Sequence, residues 1–146
     1  MLMLLVAAAP ASSYRYQQAL MDQIERAVVL PKGAKPLSAY GRNYAFSGRD
    51  KVVAMYLLPS PPADLSQGCE VMLEGFRSRP CTRKEIAESA ASQARAIAAE
   101  TPAGKRRWFE SSRNLPSILD GGCRQVSVWY DIPAHHVISV ACNGYG

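Results

Sequence analysis

Apolar residues recur along this chain first with a helical period and then with a strand period. Tyr16, Leu20, Ile24, Ala27 and Val28 fall at three- and four-residue intervals, with Gln18, Asp22, Glu25 and Arg26 mostly elsewhere around the wheel. That spacing predicts a helix capped by Ser12 or Ser13, stopped by Pro31 and laid by one face on a sheet. From Ala39 the period becomes two, placing Tyr40, Tyr44 and Phe46 on one side of a strand, with Arg42 among them. Ser47-Gly48-Arg49-Asp50 has turn chemistry, and Lys51 to Leu58 is a nearly continuous apolar run suited to burial on both faces. A hairpin is predicted, ended by Pro59, Pro61 and Pro62.

Between Cys69 and Phe76, Val71, Leu73 and Gly75 alternate with Glu70, Met72 and Glu74, which predicts a short strand. Thr82-Arg83-Lys84-Glu85 then has the capping-box spacing, in which threonine and glutamate each satisfy a free backbone N–H. Ile86, Ala90, Ala94, Ile97 and Ala98 give the following helix a narrow face, and Thr101-Pro102-Ala103-Gly104 ends it. The last 42 residues read as strand, loop, then hairpin. Val126, Val128 and Tyr130 form one side, His136, Ile138, Val140 and Cys142 another, with Asp131-Ile132-Pro133-Ala134 as the turn. The prediction is one α+β domain over residues 12–146: an antiparallel sheet of four to five strands with two helices packed on one face, stabilised by disulfides. In element order it resembles cystatin-like helix-on-sheet folds, a likeness of architecture that carries no function.

The ends and the cysteines change where such a domain is expected to work. Met1-Leu-Met-Leu-Leu-Val-Ala-Ala-Ala-Pro-Ala11 is apolar, then small, and no charged residue precedes Arg15. Residues 1–11 therefore read as a truncated signal peptide lacking its basic start, and as too short for a membrane span. A secreted or periplasmic location is the expectation. In an oxidising compartment the four cysteines, Cys69, Cys81, Cys123 and Cys142, imply two disulfides with three possible connectivities. Pairing neighbours in sequence, Cys69 with Cys81 and Cys123 with Cys142, closes loops worth about 3 kcal/mol each. Zinc is disfavoured because no close-spaced C-x-x-C pair exists. The local pairing conflicts with the apolar pattern, however. If Val126 opposes Ile138 or Val140, Cys123 and Cys142 point to opposite faces; a bulge at Gly121-Gly122 or in the turn reconciles the two, and otherwise Cys142 turns inward and reaches Cys69 or Cys81.

The remaining chemistry is sparse. His135 and His136 are adjacent, so in extended chain they point apart and cannot chelate one ion. His136 and Cys142 share a face but lie about 20 Å apart along a strand, beyond the reach of a base activating a thiol. Both histidines read as turn and strand-start residues near the surface. No G-x-S-x-G, G-x-x-x-x-G-K-[ST], G-x-G-x-x-G or H-E-x-x-H occurs, and neither a metal nor another cofactor is expected. Asp120 with Glu110, or Asp131 with Glu70, would need the fold to bring them together for acid–base work.

Charge is the one feature above background. Of 17 cations and 12 anions, eight cations and three anions lie between Arg77 and Arg107, which accounts for the whole net charge of +5. Arg77, Arg79, Arg83, Lys84, Lys105, Arg106 and Arg107, with Trp108 beside them, are the candidate residues for an anionic partner. The two basic flanks bracket a helix about 27 Å long, so they need not form one patch. An acidic protein, an acidic envelope polymer or an anionic membrane surface fits; nucleic acid does not suit the compartment. The chain thus reads as an exported binding module without enzymatic activity. The alternative is a small envelope hydrolase using a Cys/His or carboxylate site.

Overall fold

The computed structural model describes residues 11–62 and 64–144. Residues 1–10, which carry most of the expected leader, lie outside the described residues. Helix α1 (Ala11–Ala27) is followed by strands β1 (Gly41–Ser47) and β2 (Lys51–Leu57), then by a small hairpin of β3 (Glu70–Met72) and β4 (Ser78–Pro80). Helix α2 (Arg83–Ala98) leads to β5 (Arg106–Trp108), and β6 (Gln125–Asp131) and β7 (His136–Cys142) close the chain. The main sheet has the order β5-β1-β2-β6-β7. Because α1 is already helical at Ala11, Ser12 and Ser13 lie inside it rather than at its cap.

Helix α1 covers one face of this sheet. Leu20, Met21 and Ile24 are buried against Tyr44, Val52, Ala54, Tyr56, Val126, Val128 and Tyr130, the alternate residues of β1, β2 and β6. Register enforces this set, since Tyr44 opposes Ala54 and Ala54 opposes Val128. Every buried phenol also finds a polar partner. Tyr40 Oη donates to the Cys123 carbonyl at 2.6 Å, and Tyr130 Oη to Gln23 Oε1 at 3.1 Å. Ala27, by contrast, is exposed, while Met21 is buried beside Leu20 and Ile24.

Three features depart from the expectation. The sheet is mixed, because β5 runs parallel to β1, with Arg42 beside Arg106 and Tyr44 beside Trp108. Arg42 N–H donates to the Lys105 carbonyl at 2.9 Å and Phe109 N–H to the Tyr44 carbonyl at 2.7 Å, so the two edges are zipped by main chain. Gly41 makes this possible: a Cβ there would strike the Thr101 carbonyl. The segment after Cys69 leaves the main sheet and pairs instead with Ser78–Pro80, so β5 rather than β3 is its fifth strand.

Nor do the two helices share one face. No residue of α2 is buried, and Thr101, just beyond its end, meets Asn43 on the face opposite α1. The alanines that suggested close packing are mostly in solvent. Only the threonine half of the expected capping box forms: Thr82 Oγ1 accepts from the Glu85 N–H, while the Glu85 carboxylate accepts from the Thr82 hydroxyl and from Arg79 rather than from a backbone N–H.

Both local disulfides form, Cys69–Cys81 and Cys123–Cys142, and the register conflict is resolved in two places. Asp120, Gly121 and Gly122 are all left-handed and fold the chain into a short turn over Gly122–Arg124, which carries Cys123 back to Cys142. A bulge then breaks the β6–β7 ladder: Trp129 opposes Ser139 while Tyr130 opposes Val137, leaving Ile138 as the extra, exposed residue. The inward positions of β7 are therefore Val137, Val140 and Cys142, and Val126 faces Cys142 rather than Ile138 or Val140.

The two staples are placed to have unequal effects. Loop entropy alone gives both about 3 kcal/mol. Cys142 packs against the core, whereas no residue from Glu70 to Pro80 is buried. Replacing Cys123 and Cys142 by serine is expected to cost about 2–4 kcal/mol in urea unfolding. The same change at Cys69 and Cys81 should cost well under half of that, since the hairpin opens without disturbing the cooperative core.

Candidate functional site

The predicted basic residues separate into three groups once folded. Arg106 is internal. Strand alternation turns it toward α1, where Nη1 reaches Asp22 Oδ1 at 2.7 Å and Glu25 Oε2 at 3.4 Å, and Nη2 reaches Gln18 Oε1 at 2.8 Å. Trp108, two residues on, faces the same way and lies in the core, parallel to Tyr44 at 6.4 Å and edge-on to Phe46 at 4.7 Å. Glu25 collects the rest of this network. Its Oε1 accepts from Arg42 Nε at 2.9 Å and from Tyr44 Oη at 2.8 Å. Tyr44 therefore spends its proton on Glu25, and the 3.1 Å bond between phenols has Tyr56 donating to Tyr44. Burial pulls the Arg106 guanidinium downward, but Asp22 and Glu25 outweigh it and hold its pKa above the ordinary value.

This network escaped the reading of the chain, although a signal for it existed. Gln18, Asp22 and Glu25 are spaced i, i+4, i+7 and so form a polar stripe beside the apolar one. The stripe anticipates a cationic partner on the sheet.

The second group lies on the hairpin and α2. Arg77 and Arg83 are exposed, Arg79 pairs with Glu85 at 3.0 Å, and Lys84 reaches Glu88 at 3.9 Å along the helix. Exposed pairs of this kind contribute little.

Arg107 and Lys105 form the third group. Both are exposed, and Arg107 points away from α1 because its neighbours point toward it. Its guanidinium lies over the Phe109 ring at 4.6 Å and lines a cavity of about 300 Å³ on the opposite sheet face. Leu57, Leu58, Ala96, Ala99, Phe109, Pro116 and Ile118 supply apolar walls, and Arg124 is a second arginine in the lining. Among the described residues neither Arg107 nor Arg124 has a carboxylate within ion-pair distance. Glu100 also lines the cavity, but its two oxygens accept from the Ser60 N–H and hydroxyl. A more open depression next to it shares Glu100, Thr101 and Arg107 and adds Lys105.

Buried amides hold the walls in place. Asn43 Nδ2 donates to the Met55 carbonyl at 3.0 Å, while its Oδ1 accepts from Thr101 Oγ1 at 2.6 Å. Gln125 Oε1 accepts from Ile118 N–H at 2.7 Å and Ser117 Oγ at 3.1 Å, its Nε2 donates to Asn143 Oδ1 at 3.1 Å, and Asn143 Nδ2 donates to the Ile118 and Asp120 carbonyls. Both sides of the opening are thus tied to the sheet, and no buried side-chain polar atom among the described residues lacks a partner. Arg124 and the cavity itself were not singled out in the sequence, because they join segments that no local pattern connects.

The other candidates resolve simply. All four cysteines are bonded, which leaves no thiol for a Cys/His hydrolase. His135 and His136 are exposed, at the turn and the start of β7 as expected, with His135 Nδ1 3.3 Å from Gln23 Oε1. Asp131 caps its turn by accepting from the Ala134 N–H, and Glu70 accepts from Ser78 within the hairpin. Among the described residues no three His, Cys, Asp or Glu side chains are grouped to hold a metal, and no helix is long and apolar enough to cross a membrane. No protein-family model, no curated protein and no solved structure matches the chain.

Two outcomes follow from the Glu25 network. Glu25→Gln keeps the shape but leaves Arg42 without a carboxylate and Arg106 with Asp22 alone, and is expected to cost about 1–3 kcal/mol in urea unfolding. The second concerns alkaline pH. Burial, then Tyr56 and Glu25, raises the Tyr44 phenol far above its ordinary value of 10.0. Burial likewise pushes Tyr56 up to about 12. In the unfolded chain both phenols ionise near pH 10 while the folded ones keep their protons, so stability is full below that pH and falls as pH rises toward about 12. Urea midpoints at about pH 8 and about pH 11 should show this drop, and Tyr44→Phe should shrink it.

Proposed function

We propose that the chain is an exported binding module that takes a small amphipathic anion into the cavity bounded by Arg107 and Arg124. One observation carries this reading: an apolar-walled cavity of about 300 Å³ lined by Arg107 and Arg124, neither of which has a carboxylate within ion-pair distance among the described residues. Its volume is at the small end of ligand clefts, and its composition, apolar walls with a few placed polar groups, is the usual one. A ligand with a short aliphatic or aromatic body and one carboxylate or phosphate head would fill the walls and answer the arginines. Export is supported by the two disulfides, which suit an oxidising compartment, and by the leader-like run at residues 1–11.

The basic segment contributes to this reading through Lys105 and Arg107 alone. Arg106 is consumed by Asp22 and Glu25, and Trp108 by the core.

Octanoate is the probe of choice, with octanol as its uncharged counterpart. Titration calorimetry should detect octanoate, with octanol at least about tenfold weaker. Arg124→Glu, at an exposed position, should abolish octanoate binding while leaving the urea midpoint within about 0.5 kcal/mol of the parent. Equal affinity for octanol, or no heat with either compound, defeats the proposal.

A further inference from the structure

We propose that the anion taken by the cavity carries two charges on one head, a phosphate monoester seated between Arg107 and Lys105, an inference that rests on the cavity being an anion site. The cavity of about 300 Å³ does not end at Arg107. It shares Ala99, Glu100, Thr101 and Arg107 with an open depression of about 370 Å³, which Pro102 and Lys105 also line. An apolar-walled space for a ligand's body thus continues into a second space, and Arg107 belongs to both.

Strand geometry supplies the second cation. Arg106 turns toward α1, where Asp22 and Glu25 engage its guanidinium. Lys105 and Arg107, one residue to either side of it, therefore fall on the opposite face, about 7 Å apart along the chain. Both are exposed, and among the described residues neither has a carboxylate within ion-pair distance. The Arg107 guanidinium lies over the Phe109 ring at 4.6 Å, a contact made through its flat face that leaves the N–H donors at its edge free. A planar fork beside a mobile ammonium suits the several oxygens of a phosphate.

Charge fixes the valence of the head. With the Arg106 guanidinium turned away, the side chains around the two spaces carry three cations, Lys105, Arg107 and Arg124, against the one carboxylate of Glu100. Three less one leaves a surplus of two. Glu100 is itself held by the Ser60 N–H at 3.0 Å and by the Ser60 hydroxyl. A carboxylate ligand answers one charge of the surplus. A phosphate monoester above its second pKa of about 6 answers both.

Titration calorimetry of the full, oxidised chain at about pH 8 with octyl phosphate, octyl sulfate and octanoate tests the idea. Octyl sulfate keeps the tail and a tetrahedral head but carries a single charge. Octyl phosphate should bind at least about tenfold tighter than octyl sulfate, the margin of one charge-assisted hydrogen bond. Lys105→Gln should bring that ratio to within about twofold, and Lys105→Arg should keep it. Because the position is exposed, both variants should retain the parent's circular dichroism and urea midpoint. If octanoate binds while octyl phosphate is no tighter than octyl sulfate, the proposal falls and the cavity stays an anion site. A preference for phosphate that survives Lys105→Gln also overturns it. No heat from any of the three compounds defeats the cavity as an anion site, and this inference with it.

Discussion

The carboxylate of Glu25 is the point on which the rest of the molecule is organised. One half-buried side chain on α1 receives Arg42 and Tyr44 from β1 and Arg106 from β5, and Tyr44 in turn receives Tyr56 from β2. Three strands are thereby registered against one helix by charge-assisted bonds, which are directional where apolar burial is not. The arrangement also fixes β5. A three-residue parallel edge strand has few ladder bonds of its own, and Arg106 clamps it to the helix that covers the core. Once Arg106 is turned inward, alternation leaves Arg107 no choice but the other face. Two adjacent, chemically identical residues therefore serve opposite ends: one holds the fold together, and the other lines the cavity.

The parts of this structure legible in the sequence are those that local periodicity or local chemistry governs. Leu20 and Ile24, the Tyr44 strand, the Val126 strand, the Thr82 cap and both disulfides all depend on residues close in the chain. What stayed hidden depends on distant segments meeting. The parallel placement of Arg106–Trp108 is decided by main-chain bonds to β1 and by the absence of a Cβ at Gly41, neither of which leaves a pattern in a three-residue strand. The bulge at Ile138 is hidden for another reason. Its apolar side chain continues the alternation perfectly, so the pattern of β7 points to the wrong inward set. The candidate site suffers most, because Arg107 was visible as charge but Arg124 and the apolar walls come from elements far apart in sequence.

Basic residues in a row had suggested a single anion-binding segment, and the fold divides it. Arg106 and Trp108 sit inside, Lys105 and Arg107 near the cavity, and Arg77, Arg79, Arg83 and Lys84 on an arm with no buried residue between Glu70 and Pro80. Net charge concentrated in sequence is thus not charge concentrated in space. The arm and the body also differ in what holds them. The body has an apolar core and a charged clamp; the arm has a disulfide, a helix cap and surface ion pairs, which are devices that order a segment without burying it.

The two faces of the sheet show a matching division of labour. Under α1, tyrosines and aliphatic side chains fill the space, and such a surface closes wherever it can, because apolar burial favours contact without specifying distance. The opposite face is built differently: Asn43 and Gln125 are buried there, each with its amide fully engaged, and they hold Thr101 and Ile118 at hydrogen-bond distance from the strands. A wall held by apolar packing alone would settle onto the sheet and erase the cavity between them. An amide pair cannot settle further without breaking its bonds, and a broken bond leaves a buried polar group unpaired. Polar residues in the core of a small domain are usually a cost. On this face they are the reason an apolar space stays open.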